Sequence, residues 1–474
     1  MFAQSSRLRL MTSVLPFALL LPMSVSTLSA APVAVRSNVL FIVADDMNRT
    51  LGAYGDLHAL TPNVDRLAAQ GVRFERAYCQ YPVCSPSRVS FLSGRRPEIT
   101  RLFGNEGASR TPALKDAVFL PEYFRQQGYF TARVGKIFHI GRDVPECWDR
   151  SEEGTGLAKI LYQPSELKEL DLERTVIAGS KGRVGGGEGN TWAVVDAPEE
   201  RLVDWKIASQ ATEYIEQGVR SGRPFFVACG FRRPHLPRFT VERYFARFEA
   251  ARLPLPPPPP PGAVLPQPVQ PIEDQLQREA HRSYLACVAF MDEQLGRVLG
   301  ALDRHRLWDN TIVVFLGDNG YHLGSRGGWW GKGLPYEESC GVPLIVAAPG
   351  GRRGAASPRV VEFIDFYPTL VDLCGLPARR DLDGRSFCPL IAAPTAAWEH
   401  PAFTITARQD RITSLAVSTE RFRYIDYLDG RAPELYDVRT DPREWRNLAR
   451  DPAHASDLDR LRRLTAQHRQ QFPP

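Results

Sequence analysis

The strongest constraint on the fold comes from two short apolar runs that each end in a pair of polar side chains. Asn38–Ala44 is followed by Asp45-Asp46, and Thr311–Gly317 is followed by Asp318-Asn319. Apolar runs of this length without alternation are typical of strands that are buried on both faces. Ligands of open parallel sheets bind at the carboxyl ends of the strands, so the sequence predicts that both polar pairs meet at one sheet edge.

Oxygen donors from two strand ends predict a site for a divalent cation. Adjacent carboxylates repel each other unless a cation lies between them, and oxygen ligands favour Ca²⁺ or Mg²⁺ over zinc. Either pair alone also fits solvated acids in a loop. Because two strands far apart in the chain end in the same way, we expect Asp45, Asp46, Asp318 and Asn319 to bind one cation, Ca²⁺ first and Mg²⁺ as the alternative.

The segment Cys84-Ser85-Pro86-Ser87-Arg88 resembles a helix start that carries a reactive group. Pro86 lacks a backbone N–H and suits a first helical turn, and Ser85 is a candidate N-cap. The free N–H groups of that turn and the Arg88 cation favour a Cys84 thiolate and would also hold an oxyanion. Taken alone, so short a match also fits a half-buried structural cysteine.

Composition limits the class of protein. The chain has 474 residues, of which 43% are hydrophobic and 24% charged, so it can form one large α/β domain and a smaller one. The net charge of +5 is compatible with an acidic substrate and with many neutral ones. Because no basic run is interleaved with aromatic residues, nucleic acid is a poor candidate partner.

The first 31 residues are predicted to be a secretory signal peptide. Arg7 and Arg9 precede the apolar run Leu15–Leu21, and the small residues Ser29–Ala31 follow. A membrane anchor is the alternative, but the run is shorter than the roughly 20 residues that a spanning helix needs. No later stretch qualifies as a membrane span. We therefore expect export to a periplasmic, extracellular or lysosome-like compartment.

The cysteines do not define a disulfide scaffold. The chain has eight, too few for its length. Cys374 and Cys388 form the pair that merits the first test for a disulfide, whereas Cys229 and Cys287 lie in apolar segments and are expected to be buried.

Cys84–Arg88 followed by Ser93-Gly94-Arg95 resembles the signature of the type I sulfatases, and the chain is similar to their iduronate-2-sulfatase-like branch from about Asn38 to Leu448. The resemblance implies that a formylglycine-generating enzyme converts Cys84 to formylglycine. The hydrated aldehyde would then be the nucleophile, and the side chain of residue 84 would join the metal ligands.

Other matches to the family carry further implied roles. Lys136 and His139 stand in a G-K-x-x-H stretch, where the lysine with Arg88 would hold the hydrate and the histidine would take its proton. His235 lies in the P-H-[LI]-P match as the candidate acid for the leaving oxygen, and Lys332 matches a lysine that contacts sulfate.

Two positions depart from the branch. Asn319 stands where the branch more often has histidine, although asparagine is common in the wider family. Ser325-Arg326 replaces an acidic–basic pair, which puts sugar recognition near that point in question.

The resemblance implies an α/β fold, an alkaline phosphatase-like α/β/α sandwich with a mixed central sheet and a smaller α+β C-terminal subdomain. We expect the catalytic domain over residues 36–370, with a Pro-rich surface excursion at 253–271. Residues 371–474 would form the subdomain around an antiparallel sheet, because short alternating runs follow one another there. The polar segment over residues 146–201 is expected to form long loops over the site.

The function predicted from the sequence is hydrolysis of a sulfate monoester, on a sulfated uronic acid or polysaccharide such as a glycosaminoglycan. Two alternatives stay open at this point. One is a phosphonate or phosphodiester hydrolase with the same fold, and the other is a secreted binding protein on a sulfatase scaffold without activity. The sequence gives no indication of the oligomeric state.

Overall fold

The computed structural model describes Met1, residues 36–152, the backbone of 176–179, and residues 191–265 and 272–473. The predicted signal peptide over residues 1–31 therefore lies outside the described residues apart from Met1. The same holds for most of the predicted loops between 153 and 190 and for the end of the Pro-rich excursion. Residues 36–474 form one compact unit, and the predicted division at residue 370 stays a prediction.

The strands of the described residues form one large sheet and three small ones. In chain order they are β1 (Asn38–Ala44), β2 (Val72–Tyr78), β3 (Phe130–Gly135), β4 (Arg150–Ser151), β5 (Val176–Gly179), β6 (Trp192–Val195), β7 (Phe225–Phe231), β8 (Arg238–Val241), β9 (Thr311–Gly317), β10 (His322–Gly324), β11 (Trp329–Gly331), β12 (Gly341–Ala347), β13 (Ala355–Glu362), β14 (Ala402–Arg408), β15 (Arg411–Ser418), β16 (Phe422–Tyr427) and β17 (Glu434–Asp437).

The large sheet has 8 strands in the order β13-β2-β12-β9-β1-β7-β3-β4. β1 pairs in parallel with β7 and β9, and β3 pairs in parallel with β7, whereas β12 runs antiparallel to both of its neighbours. The sheet is therefore mixed, as predicted. The carboxyl ends of β9, β1, β7 and β3 lie side by side at one edge of the sheet, which is the arrangement that gathers a site.

Helices cover both faces of the large sheet. Besides a single helical turn at Ser325–Gly328, the α-helices of the described residues are α1 (Pro62–Gln70), α2 (Cys84–Ser93), α3 (Pro97–Thr100), α4 (Leu120–Gln126), α5 (Val203–Ser221), α6 (Glu242–Phe245), α7 (Asp274–Arg304), α8 (Glu337–Cys340), α9 (Phe366–Leu373), α10 (Cys388–Ala392) and α11 (Ala455–Gln471). Among them, no helix combines the length and apolar character that crossing a bilayer requires.

The two faces of β1 pack into two separate cores, because successive side chains of a strand point in opposite directions. Leu40 and Ile42 pack with residues of α1, α5 and α7, whereas Val39, Phe41 and Val43 pack with residues of α2, α4 and α9. Every residue of β1 and β9 is buried, as their unbroken apolar sequence predicted. The result is the three-layer α/β/α sandwich that we expected.

The C-terminal part contains the predicted antiparallel sheet, in the order β14-β15-β16-β17. Leu458 and Leu461 of α11 pack against Val417 and Phe422 on one face of this sheet.

A chain of ion pairs connects this small sheet with the segment that follows β1. Glu337 of α8 pairs with Arg49, at 2.6 Å, and with Arg423 of β16. Arg423 also pairs with Glu444, and Glu444 pairs with Arg326 in the turn between β10 and β11. Because Arg326, Arg423 and Glu444 are fully buried, each of these charges depends on its partners.

Two expectations need correction in their details. The segment 146–201 is not all loop, since β6 pairs with β5 and β8 in a three-stranded sheet. Ser85 is not the N-cap of α2, because the helix begins at Cys84 and its N-cap is Val83.

Candidate active site

The strand ends bring most of the predicted site residues to one edge of the large sheet. Asp45 and Asp46 follow β1, Asp318 follows β9, and Lys136 follows β3. The register pairs Ala44 of β1 with the last residues of β7 and β9, so the residues after these three strands start at the same level. Cys84 reaches this edge as the first residue of α2, and Lys332 follows β11.

Asp45 is surrounded by three cations. Nζ of Lys136 lies 2.6 Å from Oδ2 and 2.8 Å from Oδ1, while Arg232 contacts Oδ2 at 2.7 Å and Arg88 contacts Oδ1 at 3.3 Å. Burial opposes ionisation of Asp45, but the positive charges of Lys136, Arg88 and Arg232 hold its pKa well below its usual value. Asp45 is therefore a carboxylate.

Asp46 and Cys84 share a contact with Lys332. The Lys332 ammonium donates to Oδ1 of Asp46 and lies 2.9 Å from Sγ of Cys84. Sγ also lies 3.4 Å from Oδ1 of Asp45 and 3.8 Å from Oδ1 of Asp46. Residue 84 thus sits between two carboxylates and a lysine, with no solvent exposure.

The pKa of the Cys84 thiol corrects one expectation. The helix start and Arg88 predicted a thiolate, but burial and the neighbouring Asp45 carboxylate raise the pKa of Cys84 well above its usual value, despite Lys136 and Lys332. The sequence could not indicate how close Asp45 and Asp46 lie to Sγ of Cys84. In this structure the side chain is a neutral thiol.

Asp318 ties the end of β9 to β1 and α2. Its Oδ1 accepts hydrogen bonds from the backbone N–H of Asp46 and of Asn319, at 3.0 and 2.9 Å, and its Oδ2 accepts one from Nε of Arg88 at 2.8 Å. Its carbonyl oxygen accepts a further bond from Oγ of Ser87 at 2.5 Å. Burial raises the pKa of Asp318, which Arg88 counteracts.

The two predicted histidines lie in different surroundings. Nε2 of His235 lies 3.7 Å from Oδ2 of Asp46, and Nδ1 lies 2.6 Å from the carbonyl oxygen of Leu236. Nδ1 of His139 is buried without a hydrogen-bond partner in the described part of the chain. Burial and Lys136 lower the pKa of His139 to about 2, and burial and Arg232 lower that of His235. Both imidazoles are neutral.

The donor atoms fit a divalent cation. Asp45, Asp46, Cys84 and His235 each offer a ligand atom within 4.8 Å of the others. Asp318 is not in that group, and its carboxylate accepts hydrogen bonds from Arg88 and from two backbone N–H groups. Within the described residues, the buried Oδ1 of Asn319 has no hydrogen-bond partner, so this predicted ligand oxygen is available to a cation. Hard carboxylate and amide oxygens suit Ca²⁺ or Mg²⁺.

Three residues of the site were missed in the sequence. Arg232 binds Asp45, Ser87 binds Asp318, and the Tyr284 hydroxyl donates to the carbonyl oxygen of Asp46 at 3.0 Å. Arg232 had a detectable signal, because it directly follows the apolar strand β7 just as Asp45 follows β1. Tyr284 lies within the apolar stripe of α7, where the sequence indicates only core.

Arg326 is not positioned for substrate. It is fully buried and its guanidinium lies over the Tyr336 ring and pairs with Glu444. Within the Ser325-Arg326 replacement, Arg326 therefore packs in the turn between β10 and β11 and stabilises it through Tyr336 and Glu444.

Comparison with known proteins defines the family. The family model described as Sulfatase matches residues 37–376, and the model described as N-sulphoglucosamine sulphohydrolase, C-terminal, matches residues 325–471. Human iduronate 2-sulfatase is 33% identical over 392 residues, which cover 72% of this chain and 69% of that protein.

Solved structures share the fold. The chain superposes on phosphonate monoester hydrolase of Agrobacterium radiobacter with a TM-score of 0.75 and 22% identity, over 92% of this chain and 96% of that one. BT4656, solved with its substrate D-glucosamine-2-N,6-O-disulfate, gives a TM-score of 0.71 and 22% identity, over 92% and 98%.

The fold and site thus define an α/β/α hydrolase of the alkaline phosphatase-like class. Within that class, the chain belongs to the sulfatase family, whose members hydrolyse sulfate esters. The predicted sulfatase family and the predicted fold class are confirmed.

Proposed function

We propose that this chain is an exported sulfatase that cleaves a sulfate monoester on a saccharide, with Cys84 converted to formylglycine. The observation that carries the proposal is the position of Cys84. Cys84 is the first residue of α2, at the sheet edge where the predicted cation ligands lie. Its Sγ lies 2.9 Å from Nζ of Lys332 and 3.4 Å from Oδ1 of Asp45. A nucleophile at residue 84 would meet a substrate between the cation ligands and the lysines.

The metal ligands would be Asp45, Asp46, Asp318 and Asn319 together with the side chain of residue 84. A bound Ca²⁺ or Mg²⁺ would neutralise the charge of a sulfate group and ease deprotonation of a nucleophilic hydroxyl. The lysines that now contact Asp45 and Asp46 would be released toward an anionic substrate. A cation and these lysines would bind the same carboxylate oxygens of Asp45 and Asp46. Binding of the cation would therefore displace the lysines from the carboxylates.

The remaining residues would hold the reacting group and move protons. Arg88 and Lys136 flank Asp45, so they can orient the hydroxyls of residue 84, and Lys332 can bind sulfate oxygens. His235 would donate a proton to the leaving oxygen, and His139 would accept one from residue 84. The G-K-x-x-H match supports the role of His139 as a base, whereas its lowered pKa in this structure makes the imidazole a weak one.

A sulfated saccharide is the substrate class with the best support. Human iduronate 2-sulfatase and the disulfated glucosamine bound to BT4656 both point to sulfated sugars. The narrower proposal is that the substrate is a sulfated uronic acid, as the name of human iduronate 2-sulfatase suggests. Cleavage of a phosphonate or phosphate diester is the second candidate, favoured by the likeness to phosphonate monoester hydrolase.

The protein would meet its modifying enzyme and its substrate on the export route. A formylglycine-generating enzyme requires Cys84 in an unfolded or newly made chain, since the folded protein buries this residue completely. The predicted signal peptide supports a periplasmic, extracellular or lysosome-like location.

Peptide mass spectrometry combined with turnover assays tests the proposal. Protein made in a host with the modifying enzyme should carry an aldehyde at residue 84 and should hydrolyse aryl sulfates faster than phosphate diesters. Cys84→Ala should abolish turnover without changing the melting temperature greatly. Full activity of protein that carries only the thiol would contradict the nucleophile, and faster cleavage of phosphate diesters would favour the second candidate. Saccharide binding without turnover by the aldehyde form would indicate a binding protein.

A further inference from the structure

The loop that carries His235 contains three arginines, Arg232, Arg233 and Arg238, which we call the arginine clamp. All three are buried, with exposed fractions of 1%, 2% and 0%. A guanidinium without solvent contact needs internal acceptors, so the partners of these side chains decide what they do.

Each arginine donates to a different carbonyl oxygen of the same short loop. Arg238 Nε donates to Pro234 at 3.2 Å, Arg233 donates to His235 at 3.3 Å, and Arg232 donates to Leu236 at 3.0 Å. Three consecutive carbonyl groups are thus held by three guanidiniums. Buried carbonyls require donors, and Pro234 and Pro237 have no N–H to contribute, so the arginines supply what the backbone lacks.

The clamp is itself anchored in rigid parts of the fold. The Arg238 guanidinium lies over the rings of Tyr284, Tyr321 and Trp330, at 5.0, 4.9 and 5.7 Å from their centroids. Arg233 stacks on Phe239 at 4.2 Å and also donates to its carbonyl oxygen. These ring contacts fix the planes of the guanidiniums, which a flexible lysine could not match.

The imidazole of His235 is oriented by the same carbonyl that Arg232 holds. Its Nδ1 lies 2.6 Å from the carbonyl oxygen of Leu236, and because that oxygen can only accept, Nδ1 must carry the proton. In the neutral imidazole Nε2 is therefore an acceptor directed at Asp46 and at the site, and His235 can donate a proton from Nε2 only after this atom has taken up a second proton. Orientation of the ring and choice of the tautomer therefore both depend on the position of the Leu236 carbonyl.

We propose that Arg233 and Arg238 are positioning residues that hold the His235 loop so that Nε2 faces the substrate, while Arg232 links the same loop to Asp45. The inference rests on the proposed role of His235 in sulfate ester cleavage. Because Arg233 and Arg238 donate to the carbonyl groups of His235 and Pro234, we expect substitutions there to act on the histidine through the loop. A misplacement of about 1 Å can cost on the order of 10²-fold in rate.

The kinetic test uses Arg233→Lys and Arg238→Lys, with Arg96→Lys as the matched control. Arg96 is also buried, pairs with Glu362 and stacks on Phe403, but lies apart from the His235 loop. We expect both clamp variants to lose about 10- to 100-fold in kcat/KM on an alkyl or saccharide sulfate and much less on 4-nitrophenyl sulfate, whose leaving group needs no proton. Arg96→Lys should show no such dependence on the leaving group.

A double-mutant cycle separates positioning from general damage. In a His235→Ala background, adding Arg238→Lys should change kcat/KM by less than about twofold, because the residue through which it acts is gone. If Arg238→Lys costs as much in that background as in the wild type, or if the loss is equal for both leaving groups, the positioning role is wrong.

Two readouts do not depend on turnover. Hydrogen exchange of a peptide spanning residues 231–239 and carbethoxylation of His235 by diethyl pyrocarbonate should both become faster in the clamp variants and stay unchanged in Arg96→Lys. Unchanged rates in both clamp variants would overturn the proposal. If the wild type cleaved neither sulfate nor phosphate esters, the proposed function would fail, while these rates would still decide whether the clamp holds the loop.

Discussion

The Nε atom of Arg88 lies 2.8 Å from Oδ2 of Asp318, and neither side chain has any solvent exposure. This ion pair joins the helix that begins at Cys84 to the carboxyl end of β9. Because a second nitrogen of Arg88 contacts Asp45, one guanidinium spans the two strand ends that carry the predicted cation ligands.

Substitution of the strand-end carboxylates should remove the cation. We expect Asp45→Asn and Asp318→Asn each to lower the affinity for Ca²⁺ by about 10–100-fold or more. Each substitution removes a negative charge that either contacts the cation or orients its ligands. Elemental analysis and calorimetric titration of protein freed of metal would measure this loss. Asp303→Asn, which breaks a surface pair with Arg66, is the control. Stoichiometric Ca²⁺ in both site variants would mean that these carboxylates are ordinary loop acids.

Substitution of His139 and substitution of His235 should impair different steps of the reaction. Loss of a general acid or base costs about 10²–10⁴-fold in rate. His139→Ala should still react with substrate and then accumulate protein that is heavier at residue 84. His235→Ala should form that adduct slowly, with a smaller defect on activated aryl sulfates. Mass spectrometry after brief incubation distinguishes these outcomes, and adduct in His235→Ala alone would mean that the two roles are reversed.

Stability at low pH should depend on Glu337. Burial opposes its ionisation, but Arg49 and Arg423 lower the pKa of Glu337 to about 2 from its usual 4.5. A lowered pKa adds stability above the unfolded pKa, and this contribution disappears as the pH falls from about 4.5 toward 2. Glu337→Gln should therefore cost up to about 3 kcal/mol of unfolding free energy at pH 7 and less near pH 3.

Urea denaturation at several pH values measures this difference. Glu338→Gln is the matched control, because it removes a carboxylate from the next position of α8 without breaking the pairs of Arg49 and Arg423. A cost of Glu337→Gln that stays constant from pH 7 to pH 3 would exclude the ion pairs as its origin.

The cysteines should remain unlinked. The pair Cys374 and Cys388, suggested by the sequence, is not joined, and all eight cysteines are free thiols. Sγ of Cys374 is directed at the carbonyl oxygen of Ser37, 3.8 Å away. Peptide mapping without reductant should find no bridge, and the melting temperature should not change on addition of a reductant. A reductant-dependent melting temperature would contradict the structure.

The sequence predicted the strand ends well because burial on both faces leaves a clear pattern. β9 begins and ends where its apolar run does, and every residue of β1 is buried as its unbroken apolar sequence predicted. The ends of such elements are determined by residues that are neighbours in the chain, so they can be predicted from the sequence.

The surroundings of the site residues could not be read in the same way. The pKa of Cys84 depends on Asp45, and the partner of Arg326 is Glu444, each supplied by a distant segment. The buried arginines of the His235 loop look like exposed charge in the sequence, because nothing local indicates that their acceptors are carbonyl groups of their own loop. Contacts between distant segments decide these properties.

The ion pairs from Arg49 through Glu337 and Arg423 to Glu444 also determine how such proteins can be recombined. A chimera that takes its C-terminal sheet from a relative would import new residues opposite Glu337 and Arg326. Removing one partner of a buried pair costs about 3–5 kcal/mol, a large part of the stability of a typical domain. Crossover points for such chimeras should therefore keep donor residues equivalent to Arg423 and Glu444, or exchange all five charges together.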